Sequence, residues 1–257
     1  MTKQPEDGQE PAQHKNDMYG NIEARDEQDA GVIPPIPAAT IVLLRDSPDG
    51  IDVLMLKKNS NITFGGMWVF PGGKIDQDDY DGTGDDLVAA RNAAAREAQE
   101  EANLALPGND FVWFAHWTPP PGPQKRFATW FFAADTHIDV EGIAIDDGEI
   151  KDHAWINPRE AIAAHARHEI DLVPPTWVTL HHFSLYASVD ALMQSLRAQE
   201  PRYYSTHVAK RTDGVRVAMW DGDAGYDAWD ADIEGPRHRL VMAKDGFVFE
   251  NTVISYG

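Results

Sequence analysis

The sequence predicts an α+β fold, and three observations carry that expectation. Apolar runs rich in β-branched residues occupy 38–44 and 51–57, Ala90, Ala94 and Ala98 recur every fourth residue within 87–102, and two late hairpins centre on Asp-Gly pairs. A short β-branched run bounded by turn residues reads as a strand, whereas small residues at i, i+4 give a helix a thin face that can lie close to a sheet. Asp-Gly between alternating apolar stretches is a strong local turn signal.

Taken in order, residues 1–32 are polar and acidic, almost without large apolar side chains, and are expected to form a disordered tail. Pro34-Pro35-Ile36-Pro37 stiffens the approach to the first strand, and Asp46-Ser47-Pro48-Asp49-Gly50 turns the chain into the second. Residues 66–70 form a short strand feeding a Pro-Gly-Gly turn, and a loop over 74–86 carries six Asp residues into the 87–102 helix. Strands follow at 111–118 and 126–134, divided by Pro119-Pro120-Pro121-Gly122-Pro123, and again at 149–155, after which Pro158 opens a helix. Helices at 176–186 and 188–199 are expected to start on the hydroxyl caps Thr176 and Ser188. Residues 200–257 hold hairpins at 207–220 and 238–251 and form a small β subdomain or a sheet extension, giving a division into 1–32, 33–199 and 200–257.

Composition narrows the function. The net charge of −20, from 42 acidic and 22 basic residues among 257, argues against binding nucleic-acid backbones, which needs a basic surface. It leaves room for a small anionic substrate, because a few cations or a bound metal invert the field inside one cleft. With no Cys, disulfides, thiol nucleophiles and Cys-type zinc sites are excluded. No apolar run is long enough to span a bilayer and the first residues lack a secretory pattern, so no membrane partner is expected and a cytoplasmic location is the default.

The strongest chemical signal is Phe70-Pro71-Gly72-Gly73 followed by Arg96-Glu97-Ala98-Gln99-Glu100-Glu101-Ala102-Asn103-Leu104. On a helix, Glu97 lies at i+3 and i+4 spacing from Glu100 and Glu101, so three carboxylates share one face and repel. Converging hard oxygens of this kind suit Mg²⁺ or Mn²⁺. A solvated acidic face is the bland alternative, but the Gly-Gly turn ahead of the helix provides a backbone that can approach a metal and a polyphosphate.

Together the two segments resemble the Nudix hydrolase signature, Gly-x5-Glu-x7-Arg-Glu-U-x-Glu-Glu-x-Gly-U, with Gly73 as its first glycine and Arg96, Glu97, Ala98, Glu100, Glu101 and Leu104 fitting its core. Three departures stand out. Arg96 follows Gly73 by 23 positions where the pattern has 14; the early Glu is absent, with Asp76, Asp78 and Asp79 as substitutes that spacing cannot separate; and Asn103 replaces Gly. The last is mild, since Asn is the next best occupant of a left-handed helix end.

The resemblance, similar in its long insertion and later blocks to coenzyme A diphosphatase-like members, covers about residues 36–185. It implies an α/β/α sandwich with a mixed sheet, here with a C-terminal β extension, and often a homodimer. The implied reaction is metal-dependent hydrolysis of a nucleoside diphosphate linked to another moiety: coenzyme A, ADP-ribose, a nucleotide sugar or a dinucleoside polyphosphate. In this reading Glu97, Glu100, Glu101 and the Gly73 carbonyl hold Mg²⁺ or Mn²⁺, Arg96 braces the cluster, and Glu97 or Glu149 acts as base, Glu149 standing six residues before Trp155. Lys57, Lys58 and Arg126 are the expected substrate contacts, although Lys57, Lys58 and Ile62 preserve only part of the basic clamp of coenzyme A-cleaving members. Trp117, Trp130 and Phe127 could stack a base, with a core role preferred for each.

Rival classes are weaker. A binding or regulatory module on the same fold would keep metal ligands and lose turnover. A zinc site on His165, His168, His181 and His182 lacks an HExxH or a Cys pair, Gly82-Thr83-Gly84 precedes no Lys-Ser/Thr, and there is no Gly-x-Ser-x-Gly elbow.

Overall fold

The computed structural model describes residues 14–19, 31–60, 64–82, 84–122, 125–136, 143, 145 and 148–255. Strands β1 (Ile36–Ser47) and β2 (Gly50–Lys58) form the first hairpin, closed at Ser47↔Gly50 with Gly50 at φ 114. Their side chains alternate: Ile41 and Leu43 enter one core, Val42 and Leu44 the other, so both faces of the sheet are covered.

Around this hairpin a sheet runs β3-β2-β1-β6-β5-β8, where β3 is Trp68–Val69, β5 Val112–Thr118, β6 Phe127–Asp135 and β8 Arg202–Ser205. β4 (Gly72–Lys74) also pairs with β1, and β7 (Ile150–Ile156) with β2. Because β1–β6 and β5–β8 are parallel and the other pairs antiparallel, the sheet is mixed.

Helix α1 (Asp86–Ala102) lies on one face, with Ala90, Ala93, Ala94 and Ala98 fully buried against Ile41, Leu43, Leu54 and Phe132. The small side chains let the helix axis approach the sheet, as the alanine spacing predicts. The opposite face carries α2 (Pro158–Ala166), α3 (Pro174–Phe183) and α4 (Val189–Ala198). Ser188 caps α4 as expected, but α3 begins two residues before Thr176, with Val173 at the cap and Pro in the first turn. Proline's fixed φ and missing N–H suit that position and outweigh a hydroxyl further along.

Both Asp-Gly hairpins form, β9 (His207–Lys210) with β10 (Arg216–Met219) and β11 (His238–Ala243) with β12 (Gly246–Asn251), in a second antiparallel sheet β12-β11-β10-β9. It does not build its own core on the inner side. Ala218, Trp220, Leu240, Met242 and Phe247 join the core that holds Trp117, Phe183 and Tyr204, while β8 extends the main sheet. Trp117 stacks on Tyr204 at 3.8 Å, and Trp220 meets both edge-on at 5.4 Å.

The expectation of disorder throughout 1–32 is corrected at 14–19, where His14, Asn16 and Tyr19 are buried. Asp17 pairs with Arg216 at 2.9 Å, Lys15 with Asp171 at 2.5 Å, and Asn16 bonds Asp171 and His165. A polar segment is buried here because its groups find specific partners, not because it carries an apolar face. Of the rest of the expected tail, 1–13 and 20–30 lie outside the described residues. Among the described residues no helix is long and apolar enough to cross a membrane.

Candidate active site

The site is assembled where α1 ends beside the Gly-Gly turn. Asp85 starts the helix by accepting from the N–H groups of Leu87 and Val88 at 2.8 and 3.1 Å. Asn103 ends it in the left-handed region, φ 57 and ψ 35, with its N–H on the Ala98 and Gln99 carbonyls. The helix therefore stops just past Glu100 and Glu101, and Asn serves where the signature has Gly.

Opposite, β4 sits against β1 with Gly73 paired to Ala39. A β-carbon on Gly72 would press into the Ala39 carbonyl, and one on Gly73 would overlap the Glu97 carboxylate. Only glycine lets this turn approach both the sheet and the acidic helix.

Arg96 is the hub. Its Nε and Nη2 donate to the two oxygens of Asp79, both at 3.0 Å; Nη1 donates to Glu97 at 2.9 Å and Glu100 at 3.1 Å; and Nη2 also reaches the Lys74 carbonyl at 3.0 Å. Of the three aspartates left open by spacing, Asp79 takes the bidentate position and is buried, while Asp76 stands 3.8 Å from Arg96. Asp79 is held there by a 3-10 turn, Gln77–Asp79, in which it also accepts from the Asp76 N–H at 2.8 Å, and by Asn92, which donates to its carbonyl at 2.9 Å. The folded path of the 74–86 segment, which spacing does not convey, makes this choice.

The second cation is Lys58. Its Nζ lies 2.5 Å from Glu101 and 3.4 Å from Glu149, and Glu101 also accepts from the Gly72 N–H at 3.0 Å. Lys58, expected at the substrate, is buried with its charge facing the carboxylates. Glu149 side chain is 62% exposed and Glu100 57%, against 5% for Glu101 and 15% for Glu97.

Electrostatics follow from this burial. Burial raises the Glu97 carboxyl above its ordinary range, with Arg96 pulling it back and Glu101 and Glu100 pushing it further up. Glu101 is likewise raised by burial, opposed by Lys58 and the Gly72 N–H. Burial would lower Lys58, yet Glu101 and Glu149 outweigh it and leave the ammonium raised. Hydrogen bonds to Asp79, then Glu97, raise Arg96.

Asp79, Glu97, Glu100, Glu101 and Glu149 thus face Arg96 and Lys58, and negative charge is in excess. As placed, among the described residues no three Asp, Glu or His side chains form a ready cation cage. The donor set nevertheless fits a hard divalent ion, since it consists of carboxylate oxygens beside a turn stripped of side chains, where added positive charge relieves both repulsion and burial.

Two other expected substrate contacts lie elsewhere. Lys57 points to the opposite face of β2, its Nζ 5.8 Å from the centre of the Trp68 ring, because successive strand residues alternate. Arg126, expected at the substrate, is buried and donates to the carbonyls of Ile33 and Pro119, both at 2.9 Å, which ties loops together. Trp117 is core, as preferred. His165 is fully buried against Asn16, away from any zinc arrangement among the described residues. A cleft of about 260 Å³ at the β1–β2 turn, lined by Asp49, Asn157, Arg159 and Tyr186 among others, includes none of the carboxylates above.

Comparison with known proteins places the chain in a family. The model of the NUDIX domain matches residues 34–178, more than half of the chain. A NUDIX hydrolase from Alicyclobacillus acidocaldarius superposes with a TM-score of 0.56 at 21% identity, covering 63% of this chain and 96% of that one. The NUDIX domain of Shewanella oneidensis NrtR, solved with ADP ribose, gives 0.43 at 15% identity over 58% and 86%; a C. elegans Ap4A hydrolase gives 0.39 at 20% over 58% and 96%. At these identities the structural likeness is one of fold, and the family rests on the matched domain together with the Gly73, Arg96 and Glu97–Glu101 arrangement: the chain belongs to the Nudix family of pyrophosphohydrolases.

Proposed function

We propose that this protein is a divalent-metal-dependent hydrolase that cleaves the diphosphate of a nucleoside diphosphate linked to a second moiety. The observation that carries the reading is the excess of carboxylate on the face of α1 that meets the side-chain-free Gly72-Gly73 turn. In it, Glu97, Glu100, Glu101 and the Gly73 carbonyl hold Mg²⁺ or Mn²⁺. When bound, the ion polarises the diphosphate and lowers the pKa of a coordinated water.

The chain's own residues then orient and move a proton. Arg96, clamped by Asp79, fixes the Glu97 and Glu100 carboxylates against rotation. Lys58 does the same for Glu101. Glu97 is engaged by Arg96 and by the turn, whereas the Glu149 carboxylate is exposed and, among the described residues, meets Lys58 at 3.4 Å; Glu149 is therefore the group we assign to take the proton from the attacking water.

Among the described residues, Lys57 faces away and Lys58 serves the carboxylates, which weighs against a basic clamp for coenzyme A; Ile62, the third position of that clamp, lies outside the described residues. ADP-ribose, nucleotide sugars and dinucleoside polyphosphates are substrates of equal standing with it. A binding-only module is the rival reading; Asp79 weighs against it, since it supplies the brace whose early Glu is missing. Product analysis on these four compound classes with Mg²⁺ and with Mn²⁺ tests the proposal. Metal-dependent cleavage within the diphosphate supports it, and binding of metal with no cleavage of any class assigns the protein to the rival.

A further inference from the structure

We propose that Trp130, His116 and Tyr203 form a stacking platform for the planar base of the nucleoside, on the α1 side of the sheet; the inference deepens the diphosphate reading above and rests on it. Strand register lines these residues up. Gly73 pairs with Ala39, Ala39 with Trp130, Trp130 with His116, and His116 with Tyr203, so a single row crosses β4, β1, β6, β5 and β8. Directly paired residues project to the same face. The row starts at the glycine beneath the Glu97 carboxylate, passes the small buried Ala39, and continues as three aromatic rings. With strands about 4.8 Å apart, Trp130 lies about 10 Å from Gly73 and His116 about 14 Å. Those spans suit a base separated from its diphosphate by a ribose.

A bulge builds the surface. The β5–β6 register shifts between Trp113 and Ala115, so Phe114 and Ala115 both enter the opposite core while Trp113 and His116 both return to the α1 side. His116 then meets Trp130 at 4.5 Å and 78°, and Tyr203 at 5.8 Å, while Trp113 meets Tyr203 edge-on at 5.9 Å. Helix α1 has its main contacts with β1 and β4 and fewer with β6, and Trp113 and Trp130 pack at the edge of the core it covers. Tyr203 is 63% exposed, and Trp113, His116 and Trp130 are half-buried, in contrast to Trp117 and Phe131 on the other face, which are core. Burial also lowers the His116 pKa, which favours the neutral ring.

The occupant follows from continuity with the acidic helix and from the ring chemistry. Aromatic faces accept any base, and the stripe is a few rings wide, a match for one planar group. Tyr203 comes from beyond residue 178, where the family match ends, so the C-terminal extension contributes directly to recognition in this chain.

The test is calorimetric binding of ADP and of inorganic pyrophosphate, each with Mg²⁺, to the wild type and to Tyr203→Ala, Tyr203→Phe and Trp130→Leu. The exposed Tyr203 can be truncated without opening the core. Tyr203→Ala and Trp130→Leu are expected to weaken ADP about fivefold or more with pyrophosphate unchanged, and Tyr203→Phe to keep wild-type affinity. Wild type that binds ADP no more tightly than pyrophosphate, or Tyr203→Ala and Trp130→Leu that bind ADP normally, overturns the platform and leaves the diphosphate reading intact. Selective loss of ADP in a protein that cleaves nothing supports the platform and removes the hydrolase. A dimer that Tyr203→Ala dissociates, seen by sedimentation with ADP affinity unchanged, makes the stripe an interface and overturns the proposal.

Discussion

Gly73 and Glu97 tie backbone to side chain closely, because the carboxylate occupies the volume a side chain at 73 would need. Gly73→Ala is expected to displace Glu97 by about an ångström and lower turnover about 100-fold, read by steady-state kinetics. Asp79→Asn removes the charge from a buried, bidentate partner of Arg96, and should cost about 2 kcal/mol in urea denaturation. Glu97, Glu100 and Glu101 are legible in the sequence as carboxylates on one helix face, because spacing alone places them so, and Arg96 is legible as the arginine of the signature they resemble. The choice of Asp79 among three aspartates and the pairing of Lys58 with Glu101 are not: one depends on a 3-10 turn inside the 74–86 loop, the other on a strand brought to the helix from 43 positions away.

At the scale of elements, local chemistry again separates the readable from the hidden. Both C-terminal hairpins form about their Asp-Gly pairs, α1 stops at Asn103, and α4 starts on Ser188 as expected. The parallel partnership of β5 with β8 has no local signal, since it joins segments some 87 residues apart in register Ala115↔Arg202. The buried segment 14–19 escaped for a different reason: its side chains are polar and show no period, and its anchoring depends on Arg216, Asp171 and His165, far along the chain. This segment links the second sheet to the helical layer. Asp17→Ala leaves Arg216, a side chain only 9% exposed, without its carboxylate and is expected to lower stability by about 3 kcal/mol in denaturant melts. An unchanged midpoint would show that the segment contributes little.

For the whole molecule, acidification should weaken the fold. Burial lowers His165 to about 4, with His14, His168 and Lys15 pushing the same way and Asp171 opposing, and lowers His182 to about 3, helped by Arg202 and His181. Groups depressed below their ordinary 6.5 favour the folded state above that pH and lose their contribution as pH falls toward 4 and then 3. His14, His116, His181, His207 and His238 are lowered too. Glu97 and Glu101, being raised, act in the opposite sense, but two carboxylates stand against seven histidines. The urea midpoint is therefore expected to fall between pH 6.5 and 4, and a flat profile would contradict the burial of these rings as neutral groups. The long-range arrangement that buries them also brings the acidic helix, the glycine turn and the loop of Glu149 together, and catalysis by that assembly is best tested directly. The measurement is the rate of Mg²⁺-dependent cleavage of the best diphosphate substrate by the wild type, Glu100→Gln and Glu101→Gln. Glu100 is exposed, so its variant isolates chemistry from folding. Both variants are predicted to lose activity about 100-fold or more while remaining folded; turnover at the wild-type rate in both would contradict the assignment of these carboxylates to the reaction.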